Sequence, residues 1–145
     1  LKQTEEHMIK KWNYRFPNRK LIHSPYPYER FDAFNENLVV EIKYRFNWYD
    51  KLLIEFDKYS YNSWYAHLKK KRFLYVIYYL DKIIVFNITD INKSKYNYDW
   101  EYRKMPKQTE FSNRNNIIKF VGYLDHNVLK DTKNVYEFEC LSLQL

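Results

Sequence analysis

The chain has 145 residues, 46% hydrophobic and 21% aromatic, which is the size and composition of one folded domain rather than of a disordered chain. A single glycine and a single cysteine exclude a glycine-rich phosphate loop, a dinucleotide fingerprint, an internal disulfide framework and a multi-cysteine zinc site. Lys and Arg number 25 against 18 Asp and Glu, for a formal charge of +7; a basic domain attracts polyanions, nucleic acid first among them.

The same composition has a plainer source in the codon bias of an A/T-rich gene, of phage or bacterial type, which enriches Lys, Asn, Ile and Tyr. No apolar run has the length of a membrane span and no signal-like segment opens the chain. The expectation is therefore a cytoplasmic protein without a membrane partner.

In chain order, Met8, Ile9, Trp12 and Phe16 recur at helical spacing behind Thr4 as N-cap, which predicts a helix over about 4–16 that stops at Pro17-Asn18. Lys20 to His23 reads as a short strand, followed by an extended loop at Ser24-Pro25-Tyr26-Pro27. Arg30 to Asn35 and Leu38 to Phe46 read as two strands joined by a tight turn at Glu36-Asn37. A polar-aromatic connection, Asn47 to Asp50, leads towards a helix over about 57–71 with Tyr61, Trp64, Tyr65 and Leu68 on one face. Its last turn is Lys69-Lys70-Lys71-Arg72, suited to the negative end of a helix.

The run Phe73 to Leu80 predicts a central strand buried on both faces, and Ile83 to Ile88 the next strand. Residues 89–116 carry no clear period, while Asn116 to Leu124 and Val135 to Leu143 read as further strands. The expected fold class is α/β: one domain holding a mixed sheet flanked by helices, with a core over about 4–88 and a strand-rich extension over about 89–145.

The hairpin carries the chemistry. A two-residue turn sets Asn35 opposite Leu38, Asp32 opposite Glu41 and Arg30 opposite Lys43. Phe31, Ala33, Val40 and Ile42 then share an apolar face, which drives Asp32, Glu41 and Lys43 together onto the other. Two carboxylates across a ladder repel by about 0.2–1 kcal/mol when exposed and by more when desolvated. A cation between them relieves this, and hard oxygen ligands favour Mg²⁺ or Mn²⁺. A lysine two residues along the strand then stands where it can stabilise charge on a phosphate. A solvated hairpin face of mixed charge is the plain alternative.

The stretch RFDAFNENLVVEIKYR, followed by a helix and the strand FLYVIYYL, resembles the PD-(D/E)XK nuclease superfamily. The resemblance implies a restriction-endonuclease-like core in the order helix, three strands, helix, strand. It implies metal-binding and catalytic roles for Asp32 and Glu41 and a catalytic role for Lys43. It extends to LIEFDKYSYNSWY, where Lys58 matches a lysine that points at the site in the family, and to an acid on the first helix, Glu5 or its rival Glu6, as a further metal ligand. Phe31 stands where the family often has proline.

Other constellations are weaker. His7, His23, His67 and His126 show no metal-ligand spacing, no G-x-S-x-G occurs, and Cys140 reads as a strand residue. Arg30, Arg45 and Lys69, Lys70, Lys71 and Arg72 are candidates for contacting nucleic acid. The expectation is a Mg²⁺- or Mn²⁺-dependent nuclease hydrolysing phosphodiesters, in DNA rather than RNA, as an endonuclease of weak or structure-based specificity. One alternative is a module of the same fold that binds nucleic acid or protein without cutting. Another is an assembly protein whose Tyr-rich strands form an oligomer interface, a homodimer being the simplest case.

Overall fold

The computed structural model describes residues 2–25, 30–106 and 116–139. In chain order they form α1 (Lys2–Arg15), β1 (Ile22–His23), β2 (Ala33–Phe34), β3 (Leu38–Arg45), β4 (Lys51–Glu55), α2 (Phe56–Leu68) and β5 (Arg72–Tyr79). There follow β6 (Lys82–Asn87), α3 (Ile88–Lys93), β7 (Glu101–Pro106), β8 (Asn116–Asp125), α4 (His126–Leu129) and β9 (Val135–Glu139). One sheet has six strands in the order β1-β2-β3-β5-β6-β9, and a second has three in the order β4-β8-β7. Among the described strands only β3 and β5 pair in parallel, because β4 and α2 carry the chain back to the start of the sheet between them. The mixed α/β class expected from the sequence is therefore present, with mostly antiparallel sheets. Among the described residues no helix is long and apolar enough to cross a membrane.

The large sheet has a core on each face. On one, Met8, Ile9 and Trp12 of α1 pack over Val40, Ile42, Leu74, Val76 and Val85. On the other, Val39, Phe73, Tyr75, Ile77 and Phe86 meet Ala66 of α2, Leu52 and Ile54 of β4, Leu124 of β8 and Ile91 of α3. Phe73 to Tyr78 are all buried, as the unbroken apolar run predicts. The same holds for Val39 to Ile42, so the hairpin does not have one apolar and one solvated face.

The expected register holds at the turn: Asn35 N–H donates to Leu38 O at 3.0 Å, and Ala33 and Phe34 pair with Val40 and Val39. It fails one residue earlier. Asp32 N–H also donates to Val40 O, at 2.9 Å, so two residues oppose one in the manner of a β-bulge. The extra residue reverses the parity of Phe31, which packs with Val39 and Phe73 rather than with Ala33. Arg30 leaves the ladder altogether instead of facing Lys43; its carbonyl accepts from Asn62 Nδ2 of α2 at 2.9 Å.

Helix α2 starts at Phe56 and ends at Leu68, and Lys70 takes a left-handed φ of 56°. The basic run thus lies past the helix rather than in its last turn. The buried residues of α2 are Asn62 and Ala66, while Trp64 and Leu68 are exposed, so the covered face is rotated from the expected aromatic stripe. Strands β4 and β7 and helices α3 and α4 were not expected. The side chain of Thr4, and Cys140 with the end of the expected last strand, lie outside the described residues.

The second sheet is joined to α2 by aromatic rings. Phe56, Tyr59, Tyr98, Trp100 and Phe120 contact one another in series, with centroids 4.9–5.8 Å apart. Gly122 on β8 leaves room for this wedge: a Cβ there would stand 2.7 Å from the Trp100 ring and 2.9 Å from Tyr98 Cβ. Gly122→Ala is expected to destabilise the protein by about 1–3 kcal/mol through overpacking, read as a lowered urea midpoint at unchanged slope.

Candidate metal and phosphate site

Short β2 opens the site. Because β2 begins only at Ala33, the edge of β3 beyond Val40 has no strand partner on that side among the described residues. Asp32 fills the gap with its side chain: Oδ2 accepts from Ile42 N–H at 2.7 Å. Its carboxylate therefore lies along the open edge of β3 rather than directly across from Glu41, a consequence of the bulge. Two acids still bear on it, Glu41 from the α2 side and Glu5 from α1. Burial and then the Glu41 charge push the Asp32 carboxyl up to about 8, against the opposing bond from Ile42.

Glu41 sits in the middle of β3 opposite Tyr75 and is only 3% exposed. A carboxylate so buried requires a counter-charge, and two lysines supply it. Lys43 Nζ lies 3.3 Å and Lys58 Nζ 3.4 Å from Glu41 Oε1. The first comes from strand periodicity and the second from the first turn of α2. Lys58 also lies 3.8 Å from Glu55 Oε2, and Glu55 accepts a short hydrogen bond from Lys119 of β8. Burial acts to raise the Glu55 carboxyl, but the Lys119 bond and the charges of Lys58, Lys119 and Lys43 prevail and hold it below its usual range.

The fold thus gathers Asp32, Glu41, Lys43 and Lys58, all four drawn from the sequence, and adds Glu55 and Lys119. Glu55, just before α2, reaches Lys58 at i,i+3 spacing, whereas Lys119 meets the cluster only through the second sheet, and no sequence pattern marks it. Glu5 turns inward beside His23, 2.9 Å away, whereas Glu6 is exposed. Arg45 continues the face of Glu41 and Lys43, its Nη1 donating to Tyr44 O at 3.2 Å. Arg30 is exposed and flanks Lys58.

The basic run stands apart. Arg72 pairs with Leu38, three residues along the strand from the Glu41 level, roughly 10 Å away. There Lys71 donates to Asn35 O at 2.7 Å, Arg72 meets Asp90 at 3.7 Å, and Lys69 lies 6.0 Å over the Tyr65 ring. Three of its four cations are used within the fold.

Among the described residues no three His, Cys, Asp or Glu side chains converge to hold a metal by themselves. The Glu41 charge does act on Asp32, and a pair of carboxylates is a donor set of the kind that would suit a Mg²⁺ or Mn²⁺ ion retaining waters and taking substrate phosphate oxygens as its other ligands.

The raised Asp32 carboxyl makes stability pH-dependent. Its folded value, about 8, exceeds the ordinary 3.8, so the native state keeps a proton that the unfolded chain has released. That stabilisation is complete below about pH 4 and is lost as pH rises through about 8. In metal-free buffer the denaturation midpoint should fall over this window. Asp32→Asn keeps an acceptor for Ile42 N–H, should flatten the fall, and should exceed the parent by about 1 kcal/mol or more at pH 8.

No protein-family model matches the chain, and no curated protein matches it in sequence.

Proposed function

We propose that the protein is a metal-dependent phosphodiesterase acting on nucleic acid, DNA in the first instance. The observation that carries this reading is that Lys43 and Lys58 each lie within 3.4 Å of the Glu41 carboxylate, whose charge also acts on Asp32, held at the open edge of β3. The antiparallel run β1, β2 and β3 after α1, and β5 parallel to β3 after α2, support a restriction-endonuclease-like core, with β4 of the second sheet inserted between β3 and α2.

In this reading Asp32 and Glu41 hold Mg²⁺ or Mn²⁺, which when bound polarises a phosphodiester and lowers the pKa of an attacking water. Asp32 is oriented by Ile42 N–H through Oδ2, and Oδ1 takes no part in that bond. Lys43 is partly exposed and can turn from Glu41 to a phosphate oxygen, donating to the charge that develops there. Lys58, on the rigid first turn of α2, holds Glu41 in place and presents its remaining donors to an adjoining phosphate.

A second reading is a non-cutting nucleic-acid-binding module on the same fold. It draws on the two lysines at Glu41, which compensate that carboxylate without any metal.

Labelled DNA and RNA substrates separate the two. Cleavage should require Mg²⁺ or Mn²⁺ and stop in EDTA; full cleavage in EDTA by pure protein contradicts the metal reading. Lys43→Ala should lose about 10²–10³ in rate with little change in substrate affinity. Mn²⁺ should raise the melting temperature of the parent by mass action and that of Asp32→Asn much less. No shift in either protein favours the second reading.

A further inference from the structure

Two cavities adjoin next to the charged cluster. One, about 340 Å³, lies between Arg30, Glu55, Lys58, Lys119 and Phe120. The other, about 480 Å³, is lined by Arg30, Phe56, Ser60, Tyr61 and Trp64. Arg30 and Asp57 belong to both, so a charged stretch of three cations and two acids adjoins an aromatic one. Lys58 ties the charged end to Glu41 at 3.4 Å.

The aromatic end is built rather than incidental. Asn62 holds the Arg30 carbonyl against α2 at 2.9 Å. The Arg30 guanidinium lies 5.5 Å over the Tyr61 ring, whose centroid is 5.9 Å from that of Trp64. Trp64 nevertheless remains 57% exposed, leaving an open ring beside an arginine and one helical turn from Ser60.

We propose that this strip binds a single strand of nucleic acid, with a base stacked on Trp64 and backbone phosphates held by Arg30 and Lys119. The inference takes its place in a substrate path from the nuclease reading above. Stacking on a side chain needs an unstacked base face, which a duplex offers only at its ends. Asp57, which lines both cavities, supplies a negative charge that disfavours an additional phosphate there. The substrate class is therefore single-stranded nucleic acid, or the frayed end or flap of a duplex.

The test is done in EDTA, where binding is read without cleavage. Labelled short oligothymidine and a blunt duplex are titrated with the parent, Trp64→Leu and Arg30→Gln, both changes at exposed side chains. The parent should prefer the single strand and show tryptophan quenching on binding. Trp64→Leu should weaken single-strand binding about tenfold or more, the range of one stacked base, abolish most quenching and leave the duplex unaffected. Arg30→Gln should weaken binding and reduce the salt slope by about 0.7. No binding of oligothymidine, equal single-strand affinity in Trp64→Leu and parent, or equal losses on single strand and duplex would overturn the proposal. Intact single-strand binding with no cleavage under any metal would instead remove the nuclease reading and leave this strip standing.

Discussion

The constraint on which the structure turns is the burial of Glu41. Strand β3 is covered by α1 on one face and by α2 and the second sheet on the other, and β5 is bonded along one of its edges. A carboxylate in the middle of such a strand cannot be solvated by bulk water, and leaving it uncompensated would cost several kcal/mol. Lys43 comes from the same strand; Lys58 has to be brought by α2. The docking of α2 is therefore an electrostatic matter as well as a packing one. The alternation continues outward through Glu55 to Lys119, which draws the second sheet into the same network.

The second constraint is the shortness of β2. A longer hairpin would pair the whole edge of β3 and bury its backbone groups. Here the bulge ends the ladder, and Asp32 takes over the Ile42 N–H with its side chain. An acid that serves as a backbone acceptor is held in place without a strand to support it. It also lies at the boundary between the two faces of the sheet, which is why acids from α1 and from β3 both act on it.

Aromatic residues do the joining between layers. Tyr75 is buried in the large sheet and its hydroxyl donates to Leu53 O of β4 at 3.0 Å; burial pushes its phenol far above the usual range. Tyr59 and Tyr98 share Asn92 Oδ1, and Tyr96 donates to Tyr123 O at 2.9 Å. Each ring supplies apolar area and a polar tip that finds an acceptor. Much of the aromatic content is thus spent on the core, while Trp64 on α2 remains 57% exposed.

Whatever depends on neighbours along the chain is legible in the residues alone. Strand alternation set the turn register of the hairpin and placed Glu41 and Lys43 on one face, an unbroken apolar run marked β5 as central, and helical spacing marked the buried side of α1. It also brought Asp32 near Glu41, though by a ladder that the bulge replaces with a side-chain bond. Tertiary structure decided the rest. Strands β4 and β7 exist because β8 pairs with them from far along the chain, and β7, almost wholly exposed, has no hydrophobic pattern to reveal it. The rotation of α2, which buries Asn62 and Ala66 and exposes Trp64, answers to the sheet beneath it rather than to the helix's own apolar residues. The partners of Glu55 and Glu5, namely Lys119 and His23, are likewise products of folding. An ion pair between distant segments leaves no period in the chain, because its geometry is fixed only when the layers that carry the two charges close on each other.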